Sequence, residues 1–133
     1  MPHVDVTVIR GPGASREELR AAAHTHLGGR VTRLCPRCGS TGHGRPHLRG
    51  AHVSLSYGGG LVVVARADVP VGVDVQPGRP GWSRAEAVLK CLGTGLHGTP
   101  DETGLHLQEI PDGWVATRGE ASLSWAERAA PPR

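Results

Sequence analysis

Apolar and polar residues alternate at the start of the chain. Val4, Val6 and Val8 share one side and Asp5 and Thr7 the other, so Val4 to Arg10 reads as a strand closed by Gly11-Pro12-Gly13. Ser15 and Glu18 have the spacing of a capping box that opens a helix to about Leu27, where Gly28-Gly29 ends it. Val31 to Cys35 reads as a short strand and Cys35 to His47 as a polar loop rich in Gly and Pro. Three β-type runs follow: His52 to Tyr57, Leu61 to Ala67 and Val71 to Gln76. Gly58-Gly59-Gly60 joins the first two as an antiparallel pair, and Asp68-Val69-Pro70 leads into the third.

Pro77 to Gly81 breaks the pattern, and a second capping box, Ser83 with Glu86, opens a helix to about Leu92, stopped by Gly93 and Gly95. Leu105 to Glu109, Trp114 to Arg118 and Ala121 to Trp125 read as short strands, with Pro111-Asp112-Gly113 as the turn between the first two. Ala129 to Arg133 is expected to fray. The pattern predicts an α+β chain, one domain over 1–133. It has two unequal lobes at about 1–70 and 71–128, each with a helix packed on antiparallel strands, and a tail at 129–133.

Composition narrows the classes. The chain has three Trp, one Tyr and no Phe, so its core rests on Val, Leu and Ala. No apolar run approaches the roughly 20 residues of a membrane helix, and the N-terminus lacks the pattern of a secretory signal. Three Cys, an odd number, point away from a disulfide scaffold and to a reducing cytoplasm. A net charge of +3 suits an anionic partner but does not single out nucleic acid. Lys90 is the only Lys among 15 basic residues, and Lys, unlike Arg, is able to give up its proton near neutral pH.

Four constellations carry candidate chemistry. In Val71-Gly72-Val73-Asp74-Val75-Gln76 the valines share one face, leaving Asp74 and Gln76 on a face thinned by Gly72. A carboxylate there needs a positive partner, either a metal or a basic side chain. Glu86 and Lys90, four apart, share a helix face as an ordinary stabilising pair or as working groups. Cys35, Cys38, His43 and His47 have a spacing close to that of a zinc knuckle, which would hold Zn²⁺ and suit a nucleic-acid binder, although no aromatic stacking residue lies nearby. Ser54 to Gly60 offers hydroxyls and free N–H groups for phosphate, and reads equally as a Gly-rich hairpin.

In this order, LCPRCGSTGHGRPHL, AHVSLSYGGGLVVVA, VGVDVQP and WSRAEAVLKCLGTGL resemble a 4'-phosphopantetheinyl transferase of the surfactin-synthetase type, over about Leu34 to Leu96. Members of that family move phosphopantetheine from coenzyme A to a serine of an acyl or peptidyl carrier protein. The resemblance implies that fold and that activity in secondary metabolism. It gives Asp74 and Glu86, with Gln76, to Mg²⁺, and Lys90 to deprotonation of the carrier serine. It also places Arg45 and Pro46 at the nucleotide end of coenzyme A, and Ser56 and Tyr57 at its phosphates.

Three departures stand beside it. Gln76 replaces the family's usual Glu, and Tyr57 its usual His. Only Pro77 to Ala85 join Gln76 to Glu86, where relatives carry a longer, mostly helical segment. The twelve steps from Asp74 to Glu86 still span about 40 Å when extended, so the carboxylates are able to meet. What the deletion removes is a pocket wall and part of the carrier surface, which leaves room for a homo-oligomer that covers the gap. The alternative reading keeps the fold but changes the job: a cyclase or dehydratase on a polyketide-derived intermediate, with Asp74, Glu86 and Lys90 as acid–base groups and no metal. A non-catalytic carrier-protein binder or a zinc-knuckle nucleic-acid binder is the third reading.

Overall fold

A computed structural model describes residues 1–28, 31–34, 45–94 and 98–131. The described residues are mixed α and β, mostly strand. In chain order they form β1 (His3–Arg10), α1 (Arg16–Leu27), β2 (Val31–Leu34), β3 (Arg45–Leu48), β4 (His52–Gly58), β5 (Leu61–Ala67) and β6 (Val71–Val75). Then follow α2 (Pro80–Leu92), β7 (Leu105–Ile110), β8 (Gly113–Arg118) and β9 (Ser122–Ala129). No helix among them is long and apolar enough to cross a membrane.

Strand alternation sorts the side chains into layers. A four-stranded sheet runs β4-β5-β1-β9 and a three-stranded antiparallel sheet runs β6-β8-β7. Val4, Val6, Val8, Val63 and Ala65 of the first sheet pack against Val71, Val73, Val75 and Val115 of the second. The opposite face of the first sheet, through Ile9, Leu55, Val62 and Val64, is covered by Leu19, Ala23 and Leu27 of α1. The opposite face of the second, through Ala116, Leu105 and Leu107, is covered by Ala87, Val88 and Cys91 of α2. The result is helix on sheet on sheet on helix, and small aliphatic residues fill the middle without help from Phe.

Local chemistry accounts for the helix ends. Ser15 Oγ accepts the Glu18 N–H at 3.1 Å and Glu18 returns the bond to the Ser15 N–H at 3.0 Å, so α1 starts on the expected capping box. The second expected capping box does not form. α2 starts three residues before Ser83, at Pro80, whose fixed φ suits the first turn. Ser83 is therefore interior and fully buried, and its hydroxyl points to Asp112 O at 3.5 Å.

Other expectations are corrected at β3 and β9. β3 falls inside the stretch read as loop and pairs antiparallel with β2. β9 continues past Trp125 to Ala129, and the Ala130 N–H donates to Arg10 O at 2.7 Å, so the start of the expected frayed tail is held. β9 lies in the second half of the chain yet pairs in parallel with β1 of the first, so a boundary near residue 70 does not separate the two sheets.

Candidate functional site

The site forms where β6, the edge strand of the second sheet, meets β4, the edge strand of the first. Edge strands leave N–H and C=O groups without a ladder partner, and side chains fill that role here. Ser54 Oγ accepts the Val73 N–H and Ser56 Oγ accepts the Val75 N–H, each at 3.0 Å. Lys90 of α2 reaches into the same seam and donates to Leu55 O, Val73 O and Asp74 Oδ1, all at 3.0 Å. One ammonium thus ties an edge carbonyl from each sheet to a buried carboxylate.

Gly72 is what lets α2 come close enough. A Cβ on Gly72 would lie 2.0 Å from Ala87 O and 2.4 Å from Cys91 N, so the helix backbone rests directly on β6. Asp74, two residues on and only 4% exposed, then faces the helix side that carries Glu86 and Lys90. Its Oδ1 accepts from Lys90 and from the Ser56 hydroxyl at 3.3 Å, and its Oδ2 accepts from Gln76 Nε2 at 3.1 Å.

Glu86 joins Asp74 in this seam. Its pKa is raised above its ordinary 4.5, first by burial and next by the Asp74 charge. The Gln76 amide and the Lys90 ammonium pull the other way, and a hydrogen bond with Asp74 favours the protonated form. Two carboxyls therefore share one site with one ammonium, and negative charge is in surplus.

The structure thus brings together Asp74, Gln76, Glu86, Lys90 and Ser56. Their orientations add detail that spacing does not carry. All three donors of the Lys90 side chain have acceptors, which fixes it between the two sheets. Gln76 turns its nitrogen toward Asp74 and donates a hydrogen bond to the carboxylate.

Tyr57 does not join the group. It alternates with Ser56 on β4 and points to the α1 side, where the Arg16 guanidinium lies 4.3 Å above its ring. Arg33 is beside it, its pKa lowered chiefly by burial, opposed by Tyr57 and reinforced by Arg20 and Arg16. This gathering of Arg16 and Arg33 at one phenol, with Arg20 near Arg33, was not singled out by sequence reading, because it draws on α1, β2 and β4. Pro46 is half-buried on β3, and the backbone of Arg45 precedes it there. Of the zinc-knuckle residues, His47 is exposed on β3, and Cys35, Cys38 and His43 lie outside the described residues.

Among the described residues, no three His, Cys, Asp or Glu side chains gather as a metal group. The acid pair alone still fits Mg²⁺, which commonly takes one or two protein carboxylates and completes its shell with water and substrate phosphate. Burial, and after it the Asp74 charge, raise Glu86, and a cation between the two carboxyls would offset both. A shallow cleft between the sheets, lined by Val8, Arg10, Val75, Pro77 and Trp125, opens on the other face of β6. Compared with protein-family models, with curated proteins and with solved structures, the chain matches none.

Proposed function

We propose that this chain is a Mg²⁺-dependent 4'-phosphopantetheinyl transferase that acts on an acyl or peptidyl carrier protein with coenzyme A as donor. What carries the reading is the meeting of Asp74, Glu86 and Lys90 on the β6–α2 seam, beside Ser56. Asp74 and Glu86 would hold the Mg²⁺, which when bound offsets negative charge on a pyrophosphate. Ser56, buried in the same seam, would donate to a phosphate oxygen only after releasing Asp74. Arg16, exposed over the Tyr57 ring, would supply positive charge for the phosphates of a nucleotide. Lys90, with all three donors engaged, would act as a fixed positive group beside the acid pair.

The test is intact mass of an apo carrier protein after incubation with this chain, coenzyme A and Mg²⁺. The expected gain is one phosphopantetheine, abolished by Glu86→Gln. Absence of gain across several carrier proteins, with no binding of coenzyme A, overturns the reading.

A second reading, acid–base catalysis without metal on a biosynthetic intermediate, is favoured by one observation. Glu86 is pushed toward its protonated form by burial and by Asp74, which is how one carboxyl becomes a general acid. Coenzyme A titration separates the two, since only the transferase needs to bind it.

A further inference from the structure

On the α1 side of the first sheet, away from the acid pair, four short polar side chains form a grid across β1 and β9. The parallel register sets His3 opposite Ser122 and Asp5 opposite Ser124, and strand alternation puts all four on one face. Ser122 Oγ lies 2.6 Å from His3 Nδ1. On the other side of the ring, His3 Nε2 lies 3.0 Å from Asp5 Oδ1 and 3.2 Å from Ser124 Oγ. Ser124 donates its own hydroxyl to that same Asp5 oxygen.

This network selects one tautomer. Asp5 offers only acceptor oxygens when ionised, and the Ser124 proton already points at it, so the imidazole proton belongs on Nε2. Nδ1 then carries a lone pair that competes with Pro2 O, 3.4 Å away, for the Ser122 hydroxyl proton, and at 2.6 Å it is the nearer acceptor. Asp5 is kept ionised: its pKa lies below the ordinary value chiefly because of the Ser124 hydroxyl, against a smaller opposing effect of burial. The backbone is pinned as well, with His3 N–H on Asp68 Oδ1 and Ser122 N–H on Pro2 O, both at 3.0 Å. A nucleophile, a base and an orienting carboxylate therefore stand in series on paired strands rather than on a loop.

We propose that Ser122 is an activated serine, with His3 as its base and Asp5 as a positioning residue, and that it takes an acyl group from small, intrinsically reactive esters. Ser122 is exposed, which favours donors that react without a binding pocket. In the step, Ser122 Oγ bonds to the acyl carbon as its proton passes to His3 Nδ1. The ester C–O bond breaks, the leaving oxygen departs with the bonding pair, and the His3 proton goes to it or to solvent. The products are acyl-Ser122 and the free alcohol. This assignment stands apart from the transferase reading and survives its failure.

The experiment uses the full chain with p-nitrophenyl acetate, following p-nitrophenolate release and mapping the acetyl group by peptide mass spectrometry. The expected result is a burst approaching one equivalent with the label on Ser122, absent in Ser122→Ala. His3→Gln should slow labelling at least about tenfold without changing thermal unfolding, and Asp5→Asn should alter the pH profile of the burst. A Ser122→Cys chain, labelled on sulfur with the same dependence on His3, covers the case in which Ser122→Ala does not fold. Label spread over other side chains with Ser122 unmodified, or an unchanged rate in His3→Gln, overturns the proposal.

Discussion

Replacing Lys90 with Met keeps the length of the side chain and removes its three donors. Leu55 O and Val73 O then lose a partner, at about 1 kcal/mol each. Asp74, 4% exposed, loses its counter-charge. Breaking a fully buried pair costs about 3–5 kcal/mol. The Lys90 side chain is 34% exposed, so water screens part of that loss and about half of it, roughly 2 kcal/mol, is a fair share. The sum, about 4 kcal/mol, is a large part of the 5–15 kcal/mol that holds a typical domain together. Urea unfolding of Lys90→Met should show its midpoint lowered by roughly 1.3–4 M, taking a slope of about 1–3 kcal/mol/M. Lys90→Met/Asp74→Asn should recover part of the loss, because it no longer strands a charge. A midpoint within about 0.3 M of the parent would refute the view of Lys90 as a tie between the sheets. It would return Lys90 to the pool of groups free for proton transfer.

Gly72→Ala places a methyl 2.0 Å from Ala87 O; we expect α2 to lift from β6, with a loss above about 3 kcal/mol, read by thermal melting. Ser54→Ala removes the acceptor for the buried Val73 N–H and should cost about 1–3 kcal/mol in urea unfolding, whereas Ser54→Thr should retain most of the stability. Glu86 gives a pH signature of defined sign: because its folded pKa is raised above 4.5, the native state binds the extra proton. Stability should therefore fall as pH climbs from 4.5 through the raised value and level off above it, with the slope missing in Glu86→Gln. Mg²⁺ at neutral pH should raise the melting temperature of the parent and leave Glu86→Gln unmoved.

Much of the seam was legible before the fold was known. Period-two valines set Asp74 on the face of Gly72, and the four-residue step set Glu86 with Lys90, so two short patterns specified both surfaces that meet. That they do meet depends on Gly72, whose lack of a side chain is a statement about close approach rather than about turns. The start of α2 was misread because Ser83 and Glu86 mimic a cap, while Pro80 acts earlier in the chain and wins. β3 escaped because Pro46 marks Arg45-Pro46-His47-Leu48 as loop and the strand pairs only with β2. Neither the role of Ser54 and Ser56 in closing a sheet edge nor the parallel pairing of β1 with β9 has a local signal. Each joins distant parts of the chain, and local spacing is silent on both.

The parallel pairing of β1 with β9 also fixes how the molecule meets a pull. The chain enters β1 at His3, beside Ser122, and leaves β9 at Ala129, beside Arg10. Tension applied between the residues that flank these strands draws them past one another along their length. All eight paired positions are then loaded together in shear, instead of opening one after another like a zipper. A protein without disulfide bonds among its described residues thereby acquires a mechanical clamp from topology alone, and the force that breaks it reports on the unfolding barrier rather than on equilibrium stability.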